Sequence, residues 1–367
     1  MSLSLINNST ITTHNNDSEP FLVFSEEFIR TFDILTNAII TPCVCVVGIV
    51  LNCVAVNILR VDRITISQSF YDYMLILLCV QSTTLLIGLL RSVPAMIETY
   101  DYGLGNYIHH QMLLWGVYID MVLSHISTFV LIAMSIERLC SLFKPFTFKE
   151  YVLTKRPKTV VVIASCISAV YLIPFVVCFR FEPIINTDNV TEYAFKASPQ
   201  CNGRLKYVLH VETFLLHFIS PVLVLVLNIS IAIVYKRIIK PKNPCIHKRE
   251  SGGQQMARLT SVLLTIMTLY MMVSMPDLVA HTLGLVHHEY SYDGKYRHVV
   301  FFLINLSNVF MNINAGCAGI VYICASKRTW VLFKARCCHC LRTTEHKDTR
   351  TTCSTISNFT SGTVELC

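Results

Sequence analysis

Long apolar stretches alternating with short polar ones set the pattern of this chain. Apolar runs occupy Ile34 to Leu59, Phe70 to Leu90, Met112 to Ile136, Thr159 to Cys178, Val208 to Tyr235, Leu259 to Val286 and Val299 to Ile323. Each is roughly 20 residues or more, the length of a helix that crosses a bilayer core. The pattern predicts an all-α membrane protein, a bundle of seven transmembrane helices over residues 34–325. A polar N-terminus, 1–33, precedes it. Residues 326–340 read as a short amphipathic eighth helix, and the Ser- and Thr-rich stretch 341–367 as a disordered tail. No internal repeat is visible.

The polar segments orient the bundle. Those after the first, third, fifth and seventh runs, up to Arg336, carry nineteen Lys and Arg, whereas the N-terminus and the other connections carry eight. Positive charge is retained on the cytoplasmic side, so the N-terminus is expected outside and the C-terminus inside. Asn7, Asn8, Asn16 and Asn189 head N-x-S/T sequons on the expected outer side and are candidate glycosylation sites. Asn228 and Asn305 match the same pattern within predicted spans, and Asn358 in the tail, where it carries no such meaning. No basic segment followed by an early apolar one opens the chain, so the first span is expected to direct insertion without cleavage.

Composition narrows the function. The chain is 53% hydrophobic and 14% charged, with a mean hydropathy of +0.54, which excludes an ordinary soluble domain. Its net charge of +7 is dispersed over the short polar segments rather than gathered with aromatics on one module, so nucleic acid is excluded as a partner. Of sixteen cysteines, Cys43, Cys45, Cys53, Cys79, Cys166, Cys178 and Cys317 lie inside apolar runs as small hydrophobes and imply no disulfide framework. The single CxxC, Cys337 to Cys340, has no second pair at zinc-finger spacing, and no metal or cofactor is expected.

At the inner end of the third run, Glu137-Arg138-Leu139 followed by Pro145 resembles the Asp-Arg-Tyr motif and downstream proline of rhodopsin-like (class A) G-protein-coupled receptors. Gly48 and Asn52 resemble the family's first-helix glycine and asparagine. Pro221 with Asn228 resembles the fifth-helix pattern of peptide receptors, and Pro276 the sixth-helix kink proline. Tyr322 followed by Ser326-Lys327-Arg328 resembles the end of the seventh helix. The connection Phe143 to Lys149 looks most like divergent invertebrate receptors, chemosensory or related to FMRFamide-type neuropeptide receptors. The resemblance implies a multi-pass plasma-membrane receptor and no catalytic activity. Its implied partners are an extracellular ligand (peptide, amine or small odorant), a heterotrimeric G protein, arrestin and membrane lipid. Departures are as informative. Leu113 stands where the family has its third-helix cysteine, so no standard bridge to Cys201 is expected. Gln81 replaces the second-helix aspartate, Ala318-Gly319 the Asn-Pro before Tyr322, and Ser274 the sixth-helix tryptophan.

Ionisable residues inside a span are costly and mark candidate sites. Asp120 precedes Arg138 by eighteen residues, five helical turns, which puts it on the same face and about 27 Å further out. Asp277 on the sixth run and His217 on the fifth fall at a similar depth by the same arithmetic, with His281 one turn beyond Asp277. No Lys or Arg lies in the middle of a predicted span. The two carboxylates are therefore expected to draw on a cation from outside, a proton or a histidine. That reads as an acidic ligand pocket of Asp120, His217, Asp277 and His281 for a basic peptide or amine; the alternative is an internally paired carboxylate.

On the inner face Glu137, Arg138 and Tyr322 are the expected switch toward a G protein, with no acidic residue at the start of the sixth span to latch Arg138. Lys327 to Lys334 has a basic and an apolar side, and Cys337, Cys338 and Cys340 follow where acylation would anchor it. A light sensor needs a seventh-helix lysine, which Val299 to Ile323 lacks. A transporter or channel would favour repeated halves, and an intramembrane enzyme a nucleophile or metal motif; neither is present.

Overall fold

A computed structural model gives the fold. The structure describes residues 26–63, 66–98, 100, 102–143, 155–185, 191–197, 211, 214–239, 250–287, 290, 296–324, 329–331 and 333–334. Seven helical spans follow the apolar runs in order. The first joins a helix over Glu26–Ile34, a π-helical turn over Leu35–Ile40 and a helix over Thr41–Asp62. The second covers Gln68–Glu98, the third Tyr102–Phe143 and the fourth Pro157–Cys178. The fifth starts with a π turn, Phe214–Ile219, that continues as Ser220–Ile239; the sixth is Glu250–Val286 and the seventh Arg297–Cys324. Among the described residues six of these helices are long and apolar enough to cross a membrane, and the fifth contributes the shorter apolar stretch Ser220–Val234.

Both π turns have the same cause. Pro42 and Pro221 each follow one closely, and a proline neither donates to the carbonyl four residues back nor tolerates it at normal distance. The preceding turn widens to bonds five residues apart. Thr41 N–H donates to the Thr36 carbonyl, and Ser220 Oγ bonds the Leu215 carbonyl at 2.8 Å. His217 lies in the second of these turns. Pro94, Pro174 and Pro276 sit inside helices that continue through them.

The third span is central, touching the second, fourth, fifth and sixth, and the seventh closes the ring against the first. Side chains such as Val46, Val50, Ile163, Ile167, Val170 and Val226 are exposed on the outside, as a surface facing lipid tails requires. Between the fourth and fifth spans, β1 (Phe179–Ile185) and β2 (Thr191–Ala197) form an antiparallel hairpin with Phe179 opposite Ala197 and Ile185 opposite Thr191. The sequence reading held only a sequon there. Phe-Arg-Phe-Glu and Glu-Tyr-Ala-Phe-Lys alternate with the two-residue period of a strand.

The described core is uneven along the bundle. A large cluster including Leu59, Phe70, Tyr73, Leu77, Leu131, Met134, Leu263, Met267 and Tyr322 fills the half containing Arg138. The half containing Asp120 holds two small ones, Cys45 with Leu85 and Ala315, and Ala280 with Val300 and Ile304. First and seventh spans meet backbone to backbone. A Cβ on Gly48 would lie 2.8 Å from the Gly316 Cα, so only glycine fits the crossing.

Candidate functional site

In the half containing Asp120, the structure corrects the expectation that the carboxylate lacks an internal cation. Arg91 Nη1 lies 3.1 Å from Asp120 Oδ2 and donates a hydrogen bond to it. The predicted second span stopped at Leu90, where charge and then Pro94 break the apolar run, but the helix continues to Glu98 and carries Arg91 into the bundle. The longer helix was the available clue, since the segment as far as Ile97 still has membrane-level hydropathy.

Protein surrounds Asp120, yet its side chain keeps 34% and that of Arg91 24% of their accessibility, so the pair is not sealed by packed atoms. Two glycines stand one turn from the pair. A Cβ on Gly116, one turn from Asp120, would sit 3.3 Å from Arg91 Cγ and Cδ; one on Gly88 would sit 3.1 Å from Cys45 Sγ and from Asn312 Oδ1. The backbones of His217, Asp277 and His281 lie in the fifth and sixth spans, and their side chains fall outside the described residues. Among the described residues no cluster of His, Cys, Asp and Glu has metal-binding geometry. At the same end Asp33 Oδ1 accepts from Asn37 Nδ2 at 2.7 Å and Asn305 Nδ2 at 2.8 Å, tying the first span to the seventh.

Between the two ends, polar side chains join the third and sixth spans. The hydroxyls of Thr128 and Tyr270 are 3.1 Å apart, and Ser135 Oγ donates to Met267 Sδ at 2.9 Å. Asn52 couples the first and seventh: its Nδ2 donates to the Ala315 carbonyl at 3.0 Å, and its Oδ1 accepts the Gly319 N–H at 3.1 Å. A proline at 319, the residue the resemblance leads one to expect, has no N–H to give. A Cβ there would also stand 2.7 Å from Asn52 Oδ1, so glycine is what this contact needs.

At the opposite end Glu137 and Arg138 are buried, each side chain 3% accessible, with Arg138 Nη2 3.9 Å from Glu137 Oε1. Ser69 Oγ donates to Glu137 Oε1 at 2.5 Å, Arg138 Nη2 donates to Ser67 Oγ at 3.0 Å, and the guanidinium carbon stands 4.7 Å from the Phe70 ring centroid. Tyr322 Oη donates to Asp62 Oδ2 at 3.2 Å, both residues fully buried. Asp62, Ser67 and Ser69 all belong to the corner between the first and second spans. That corner grips the three residues singled out as the switch, and the sequence reading had looked for such a grip only on the sixth span. Its trace in the sequence is the Ser-Gln-Ser that starts the second helix, where the Ser67 carbonyl accepts the Tyr71 N–H at 3.0 Å.

Beyond the seventh span, Thr329 Oγ1 donates to the Ile323 carbonyl at 2.8 Å; Trp330 and Phe333 stack 5.4 Å apart, and Lys334 Nζ lies 5.5 Å from the Trp330 centroid. Residues 329–331, 333 and 334 are helical. Asn7, Asn8, Asn16, Asn189, Cys201, Cys337, Cys338 and Cys340 lie outside the described residues. Cys43, Cys45, Cys53, Cys79, Cys140, Cys166, Cys317 and Cys324 are free thiols.

Seven helical spans, a buried arginine–carboxylate pair at one end and an accessible one near the other describe a membrane receptor bundle. The chain belongs to the rhodopsin family of seven-transmembrane receptors, whose family model, described as 7 transmembrane receptor (rhodopsin family), matches residues 51–322. That is a family of signalling receptors rather than of enzymes. The chain is also similar to a protein of Caenorhabditis elegans described as a probable G-protein coupled receptor, 23% identical over 222 residues, which covers 59% of this chain and 50% of the relative. The matched region thus spans about half the length of that relative.

Proposed function

We propose that this receptor converts binding of an extracellular ligand, in the cavity lined by Arg91 and Asp120, into activation of a heterotrimeric G protein at the Arg138 end. The N-terminus is extracellular, the Arg138 end faces the cytoplasm and the receptor resides in the plasma membrane, as the Lys and Arg asymmetry of the connections supports. The observation that carries the reading is the contrast between the accessible Arg91–Asp120 pair and the sealed Arg138–Glu137 pair five turns along the same helix. One suits contact with a solute; the other suits a group released only when helices move.

Ligand contacts that favour a shifted sixth span would first strain the Thr128–Tyr270 and Ser135–Met267 links and then free Arg138 for the docked G protein. A basic peptide or amine has to compete with Arg91 for Asp120. His217, Asp277 and His281 belong to the same cavity on this reading. Residues 1–33 form the glycosylated outer segment with sugars at Asn7, Asn8 and Asn16 and a further one at Asn189. Residues 34–325 form the bundle, residues 326–340 an interfacial helix acylated at Cys337, Cys338 and Cys340, and residues 341–367 a tail for arrestin control.

The test is recruitment of a panel of engineered minimal G-protein α subunits to the receptor in living cells, with an N-terminal epitope stained before permeabilisation. Arg138→Ala, compared with the wild type at matched surface staining, is expected to abolish recruitment. Recruitment unchanged in that variant, or an epitope reached only after permeabilisation, sinks the proposal.

A further inference from the structure

The Arg91–Asp120 pair is held by one hydrogen bond, Nη1 to Oδ2, instead of the two parallel bonds a guanidinium and a carboxylate can make. Among the described residues, Asp120 Oδ1 and Arg91 Nε and Nη2 have no hydrogen-bond partner, and none of these atoms is sealed from solvent. The pair thus presents an accessible carboxylate oxygen beside accessible guanidinium N–H groups, and taken by itself it is neutral. Gly116 packs against the Arg91 stem, and Gly88 against Cys45 and Asn312.

A ligand with a single charge meets this pair badly. An ammonium that approaches Oδ1 is repelled by the neighbouring guanidinium, and if it displaces Arg91 it strands that cation inside the membrane. A lone carboxylate meets the mirror-image problem at Asp120. A ligand that carries both charges close together satisfies both groups at once and adds no net charge to the low-dielectric interior. The charges in the pair are 3.1 Å apart, which matches a ligand whose ammonium and carboxylate share one carbon atom rather than stand at the two ends of a peptide.

We infer that the ligand selected by this cavity is an α-amino-acid zwitterion or a small molecule ending in one, its ammonium on Asp120 and its carboxylate on Arg91. The inference rests on the receptor reading given above. Arg91 is then a specificity-determining residue as much as Asp120, and removing either charge changes the preferred ligand in a definite direction. Arg91→Gln leaves a bare carboxylate and turns preference toward the amine. Asp120→Asn leaves a bare guanidinium and turns it toward the acid.

The experiment runs the standard α-amino acids beside their decarboxylated amines and deaminated acids in the G-protein recruitment assay, on the wild-type receptor, Arg91→Gln and Asp120→Asn at matched surface expression. The expected result is a response to a zwitterion but not to its two single-charge counterparts. Each variant should then weaken the zwitterion by about ten- to a hundredfold, the worth of one hydrogen bond to a charged group, and gain its own single-charge ligand. Loss of the zwitterion without that reciprocal gain would mark a merely structural pair and overturn the inference. An amine or a neutral odorant that activates the wild type and is indifferent to Arg91→Gln also overturns it and leaves the receptor reading standing. Silence toward every zwitterion, with ligand-independent recruitment that Arg138→Ala abolishes, has the same consequence. No recruitment under any condition takes both readings down.

Discussion

The third span carries two arginine–carboxylate partnerships five turns apart, and the two are built in opposite ways. Near the cavity, Arg91 and Asp120 come from different spans, touch at 3.1 Å and remain 24% and 34% accessible. At the inner end Glu137 and Arg138 are neighbours in the chain, stand 3.9 Å apart and are almost completely buried, but each is also held by a serine of the corner between the first and second spans. The close pair is the one open to exchange. The looser pair is fixed by its surroundings, because a buried charge cannot give up its hydrogen bonds until something replaces them.

The difference is broken most severely at Glu137. Glu137→Ala removes the neighbouring carboxylate from a buried guanidinium, and a cost of about 3–5 kcal/mol is expected. Thermal unfolding of the purified receptor and its surface yield should both drop sharply; unchanged stability would mean that Arg138 is not held by this cluster. An intermediate effect is expected at the corner between the first and second spans. Asp62→Asn weakens the bond from Tyr322 by about 1 kcal/mol, enough to raise ligand-independent G-protein recruitment several-fold, if Tyr322 must leave Asp62 for the sixth span to move. Unchanged or lowered basal recruitment would show that this contact does not restrain the switch. The smallest effect is expected at the accessible pair, where both side chains keep solvent contact, so Asp120→Asn should lower thermal stability by clearly less than Glu137→Ala does. A loss as large as that of Glu137→Ala would make the Arg91–Asp120 pair part of the core and erase the contrast.

Much of the candidate site was legible in the residues, though not its pairings. Glu137, Arg138 and Tyr322 stood out because their types, order and positions at span ends repeat a family pattern, and Asp120 because a carboxylate in an apolar run is rare. Arg91 was missed because the apolar run closes at Leu90, and a window that asks only for hydropathy assigns the next charged residue to a loop. Asp62 was missed for a similar reason: at the end of a span an aspartate reads as solvated until Tyr322 is seen covering it. The β1–β2 hairpin was legible in the alternation of Phe179 to Glu182 but was hidden by attention to the apolar runs around it.

By itself the sequence determined the solvent, the number and order of the spans, and the end of the third span at which a buried arginine stands. Hydropathy over about 20 residues is a local property of the chain, and the bilayer forces each such run to satisfy its own backbone as a helix. Only the tertiary structure decided that Arg91 meets Asp120, that Tyr322 meets Asp62 and that Gly319 meets Asn52. These partners lie 29, 260 and 267 residues apart. Such meetings depend on how helices turn and cross, which side-chain size and close glycine contacts set across the bundle and no stretch of sequence records.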